Sequence, residues 1–68
     1  REAKQVDGDH YSKHVIQPWS IIDEYNLDYY LGNVIKYVLR DKGSQIVDLQ
    51  KAIHYLEKKI NLLEGDNK

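Results

Sequence analysis

The stretch "SQIVDLQKAIHYLEKKINLLEG", residues 44–65, decides the fold. In it Ile46, Leu49, Ile53, Leu56, Ile60 and Leu63 recur at alternating spacings of three and four. This is the a/d rhythm of a heptad, sustained for nearly three repeats, and it predicts one long helix from about Gln45 to Glu64. Ser44 is placed to cap its first turn and Gly65 to end it. Opposite the seam, Asp48, Lys51 and Tyr55 share a second face, with Ala52 on its flank and Leu62 near it. A helix used on two sides, in a chain this short, predicts contacts between subunits.

The chain has 68 residues, so one small domain is its ceiling. A domain of this size buries only about 60% of its unfolded surface, and disulfides, metals or oligomerisation commonly make up the deficit. There is no cysteine, which removes disulfides and thiolate metal sites. The three histidines are not read as a metal site, which leaves oligomerisation, as a dimer or tetramer through the last helix. Ten basic and eleven acidic residues give a net charge of −1. That disfavours duplex DNA as a partner, though not a small phosphate site. No apolar run approaches the roughly 20 residues of a membrane span, and there is no signal-peptide pattern, so a soluble cytoplasmic protein is expected. The sequence begins with Arg1, and a natural start upstream of it is expected.

Upstream of the long helix, Gly43 suits the left-handed C′ position of a helix expected from about Asp28 to Asp41. Leu27, Tyr30, Leu31, Val34, Ile35, Val38 and Leu39 give that helix a wide apolar stripe. Gly32 inside it costs about 1 kcal/mol relative to alanine. A close helix crossing is the expected reason, with room for a ligand as the alternative. Asn26 or Asp28 breaks and recaps the chain. Pro18 suits a first helical turn, and "PWSIIDEY" predicts a short helix over Pro18–Tyr25. Trp19, the single tryptophan of a chain without Phe or Met, is expected in the core. Residues 1–9 read as a mobile segment, 10–65 as one helical domain opening with an extended arm, and 66–68 as a disordered tail. The predicted class is all-α: an arm, a short helix and an antiparallel helical hairpin that assembles into an oligomeric bundle.

In "YLGNVIKYVLR", residues 30–40, Asn33, Lys36, Tyr37 and Arg40 recur at offsets of three, four and seven. They fall within about 100° of helix surface, opposite the apolar stripe. Amphipathic helices have polar faces in any case, and cations near a C-terminus suit the helix dipole. The stripe is nevertheless selective, with two cations, an amide and a phenol but no acid. Arg40 offers phosphate a planar fork and Lys36 a point charge. Asn33 can contact a base edge or ribose, and Tyr37 can stack. His10 is a further phosphate candidate, and Tyr11 a further base-stacking ring. Asp48, Lys51 and Tyr55 are supporting candidates. Either Asp48 serves the helix dipole and pairs with Lys51, or this face meets the stripe and Asp48 orients Lys36 or Arg40. His14 and His54 have no partner at informative spacing. Lys36 and Arg40 are expected to be dispensable for folding.

The sequence has no G-x-x-x-x-G-K-[ST] phosphate loop, no nucleophile elbow and no repeated E-x-x-E carboxylates. Phosphoryl transfer relies on positioning and on a metal that neutralises charge. Ligand binding without catalysis is therefore expected, with no catalytic residue, no metal ligand and no cofactor.

The elements "DHY", "IQPW", "YYLGNVIKYVLR" and "DLQKAIHYLEK" together resemble a family of small tailed-phage proteins of unknown function. Many of these carry the label nucleotide kinase, because a similar segment occurs in a larger coliphage nucleotide kinase that lacks a phosphate loop. The resemblance covers about His10 to Lys58. It implies a phage origin, a place in the infected bacterial cell and a role with nucleotides. It marks His10, Tyr11, Asn33, Lys36, Tyr37, Arg40, Asp48, Lys51 and Tyr55 among its pattern positions. By analogy with small helical phage proteins that sequester immune signals, it suggests a sponge for a cyclic dinucleotide or related nucleotide. The alternatives are a nucleoside monophosphate kinase, using Mg²⁺ brought by its nucleotide, and a module that binds a host protein.

Overall fold

The structure is a computed structural model that describes residues 14–65. The expected mobile segment, the arm residues His10 and Tyr11, and the expected tail lie outside the described residues. The described chain forms three helices: α1 (Pro18–Glu24), α2 (Tyr29–Leu39) and α3 (Gln45–Leu63). No strand occurs among the described residues.

Local chemistry starts each helix where the sequence predicts. Gln17 is extended, and Pro18 opens α1, where its missing N–H costs nothing. The Ser20 N–H donates to the Gln17 carbonyl at 3.0 Å. Asn26 then takes a left-handed backbone with φ of 53°, which asparagine tolerates better than most residues. That turn places Asp28 as N-cap of α2, its carboxylate accepting the Leu31 N–H at 2.9 Å. Ser44 caps α3 by accepting the Val47 N–H at 3.3 Å.

The end of α2 differs from expectation. Arg40 swings to extended backbone, so the helix stops at Leu39. Gly43 has the expected positive φ of 72°, but it lies in the following loop rather than at C′. After α3, Gly65 follows the C-cap Glu64 directly and has φ of 69°.

Helix α1 packs on α2, and α2 packs on α3. Gly32 is buried beside Ile22 of α1, where an added Cβ would meet three Ile22 side-chain atoms at 3.5–3.7 Å. That is ordinary contact, so the crossing is present without demanding glycine. The side of α3 that meets α2 carries the buried pair Asp48 and Ala52. At one end of α2, Asp28 pairs with Lys59. At the other, Arg40 pairs with Asp48.

The heptad seam is left largely open by this packing. Its six residues are between 39% exposed at Leu56 and 72% at Leu63. Trp19 is 43% exposed, against its expected place in the core. Among the described residues the buried apolar side chains are Pro18 and Ala52, and no large side chain is fully buried. Two such small side chains contribute little against the ~1–2 kcal/mol per residue lost in backbone entropy.

Candidate functional site

The polar stripe of α2 does not lie open to solvent as a plain wet face. Its α3 side carries ring and charge contacts that join the two helices. The Tyr37 ring stacks on Tyr55 of α3, with centroids 6.0 Å apart and an interplanar angle of 18°. Tyr29 meets the same Tyr55 edge-on at 5.8 Å. Hydrogen bonding with Tyr29, aided by desolvation and by Tyr37, raises the Tyr55 phenol above its usual 10.0. Two ammonium groups approach the Tyr37 ring, Lys36 at 5.1 Å and Lys51 at 5.3 Å from its centroid. Both distances are inside the roughly 6 Å range of cation–π attraction.

One turn beyond, Arg40 Nε lies 3.8 Å from Asp48 Oδ2. This is an ion pair too long to be a hydrogen bond. The Asp48 side chain is 7% exposed, and neither contacting atom makes a hydrogen bond. Asp48 therefore pairs across the helices with Arg40, one of the three partners weighed for it. This pairing gives Arg40 a structural part as well, because its removal would leave a carboxylate buried without its cation.

Around these contacts the surface is concave in two places. A cleft of about 340 Å³ is lined by Tyr37, Val47, Gln50, Lys51, His54 and Tyr55. A second, of about 270 Å³, contains Gly32, Asn33 and Lys36, with Asp28 and Tyr29 at its edge. Lys36 borders the second cleft while its ammonium reaches the Tyr37 ring of the first. Asn33 is half-buried, and its amide nitrogen donates to the Tyr29 carbonyl at 2.8 Å. One side of that amide is thus committed to the helix backbone.

The structure brings together Lys36, Tyr37, Arg40, Asp48, Lys51 and Tyr55, and leaves Asn33 one turn away. Of the other candidates, His10 and Tyr11 lie outside the described residues. Sequence reasoning missed Tyr29, Gln50 and His54. Tyr29 lies four residues before Asn33, so extending the stripe by one turn finds it. Gln50 and His54 sit beside Lys51 and Tyr55 on the helix surface, where three- and four-residue spacing again points to them. His54 meets Tyr55 edge-on at 6.3 Å. His14, expected without a partner, lies 3.6 Å from Asp41.

Three cations and one acid make the cluster net positive, and its rings offer flat apolar contact. Such a surface suits an anion with an aromatic part. Among the described residues no three His, Cys, Asp or Glu side chains gather to hold a metal, and no helix is long and apolar enough to cross a membrane. No curated protein and no solved structure matches the chain. Residues 6–57, most of the sequence and all of the cluster just described, match a family of proteins of unknown function, and the chain belongs to that family, DUF3310.

Proposed function

We propose that the protein binds a small phosphorylated nucleotide and holds it without converting it. The observation that carries this reading is the convergence of Lys36 and Lys51 on one tyrosine ring, with Arg40 a turn away. Two ammonium groups at one ring concentrate positive charge beside it, which a bound phosphate would offset. Lys36 and Lys51 then act as point charges, and the terminal nitrogens of Arg40 offer a fork while Asp48 holds its Nε side. The cleft beside Tyr37 and Tyr55 receives the base. His10, Tyr11 and Asn33 supply further contacts.

The proposal places the protein in a tailed phage, acting in the infected cell on a nucleotide signal such as a cyclic dinucleotide. The ties at the two ends of α2, Asp28–Lys59 and Arg40–Asp48, support an antiparallel hairpin of α2 and α3. Hairpins of identical chains related by a symmetry axis would pair two sites, matching a ligand with two phosphates and two bases.

Thermal-shift measurements with nucleoside mono- and triphosphates and cyclic dinucleotides test this. A true ligand at 100 times its Kd stabilises the folded state by about 2.7 kcal/mol. It should be recovered intact when the complex is denatured. Lys36→Ala and Lys51→Ala should lose the shift while lowering the ligand-free melting temperature by no more than a few degrees, the size of an exposed cation–π contact. No shift with any nucleotide would sink the reading, and turnover of a monophosphate with ATP would replace it with the kinase.

A further inference from the structure

We infer that the apolar seam of α3 is the docking surface for α3 of a second copy of this chain, in a parallel two-stranded pair. The inference rests on the assembly of identical chains proposed above and is independent of the ligand. Three observations choose the occupant.

The first is the division of residue types along the seam. Every a position is isoleucine (Ile46, Ile53, Ile60) and every d position is leucine (Leu49, Leu56, Leu63). In parallel coiled coils, a β-branched residue at a with leucine at d favours two strands. In that geometry, isoleucine enters the hole at a and leucine the differently oriented hole at d. Such a surface is complementary to itself, and the heptad register is set for a helix carrying the same repeat.

The second is length. Helix α3 has 19 residues and α2 has 11, or about 28 Å against 16 Å. The two ion-pair ties to α2 fall at Asp48 and Lys59 of α3. Ile60 and Leu63 follow the second of them, 50% and 72% exposed. A second α3 matches the whole seam, which nothing else among the described residues does.

The third is direction. The residues facing α2 are Asp48, Ala52, Tyr55 and Lys59. At 100° per residue they centre about 100° around the helix from the seam. Two neighbouring helices 8–10 Å from the α3 axis clear each other at that angle. The docked copy leaves the α2 contacts in place. It also completes burial that one chain lacks, Pro18 and Ala52 being the buried apolar side chains among the described residues.

The test measures native mass at micromolar concentration and then changes the seam. The wild type should be a dimer or an even multiple of it, and Ile53→Asp should shift it to monomer, while Lys58→Asp, off the seam, leaves the mass unchanged. If Ile53→Asp loses its helical circular dichroism, a cross-link decides instead. The chain has no cysteine, so Leu63→Cys introduces a single thiol at the end of the seam. Parallel strands bring two such thiols together, and oxidation should give a covalent dimer. Antiparallel strands hold them roughly a helix length apart, and no dimer forms, which would overturn the inference. A monomeric wild type would remove the proposed assembly itself. An oligomeric wild type untouched by Ile53→Asp would keep the assembly and overturn the seam.

Discussion

Two acid–cation ties join α2 to α3, and they are built differently. At the start of α2, Asp28 is satisfied twice. It accepts the Leu31 N–H at 2.9 Å and pairs with Lys59. The Leu31 N–H first, and then Lys59, hold its carboxyl below its usual 3.8. Both side chains are partly open to water. At the other end Asp48 is buried, Arg40 is 3.8 Å away, and neither contacting atom has a hydrogen bond. The wet tie is complete and the dry one is not. Leaving a charged pair short of hydrogen bonds costs most where water is excluded. The cost falls where Lys36, Lys51 and the stacked tyrosines gather, so the complete tie and the tie beside this cation cluster sit at opposite ends of one short helix.

The largest way to break this contrast is Arg40→Ala. It leaves the Asp48 carboxylate buried alone, and a loss of about 2 kcal/mol is expected from a denaturant midpoint. In a domain this small, that is a fall of roughly 10 °C in melting temperature. Asp48→Ala should cost less, because the Arg40 side chain is 33% exposed and can reach water. Replacing both by apolar residues, Arg40→Met with Asp48→Leu, should recover most of the loss. Equal costs for the two single variants would show that Asp48 is not the less forgiving partner.

The other end is sharpened by acid. The folded-state pKa of Asp28 is depressed, so its contribution is present above the unfolded value near 3.8. It is lost as pH falls from there through the lower folded value. Asp28→Asn keeps the capping oxygen and removes the charge. Its melting temperature should therefore vary less than that of the wild type between pH 5 and about pH 2. Parallel profiles for the two proteins would assign the acid sensitivity to other carboxylates.

The starts of the helices were legible because their causes are local. Pro18, Asp28 and Ser44 each act on backbone groups within a few residues. The end of α2 was less so, since Arg40 leaves the helix where its charge meets Asp48, a partner distant in sequence. Periodicity found both faces of α3. It could not show that the face with Asp48 and Ala52 is buried against α2 while the isoleucine–leucine seam stays open. The exposure of Trp19 was illegible for the same reason: residue type states a preference, and only the available neighbours satisfy it. Within the site, Lys36, Tyr37, Arg40, Lys51 and Tyr55 were readable from spacing. The commitment of the Asn33 amide to the Tyr29 carbonyl depends on a rotamer that spacing does not reveal.

The smallest expected effect lies between the two ties, at Gly32. If only the ends of α2 are held by specific chemistry, its middle should accept a methyl group. The added Cβ would touch the Ile22 side chain at 3.5 Å, a normal packing distance, and nothing else among the described residues comes nearer. The backbone there is helical, so alanine also lowers the entropy lost on folding. Gly32→Ala should raise stability by up to about 1 kcal/mol. A loss of the same size would mean that α1 presses on α2 more closely than its side-chain contacts show. Because Gly32 also lines the cleft with Asn33 and Lys36, the same variant separates packing from ligand contact. Raised stability with unchanged nucleotide binding assigns Gly32 to the α1 crossing, whereas raised stability with weakened binding places the ligand against the α2 backbone.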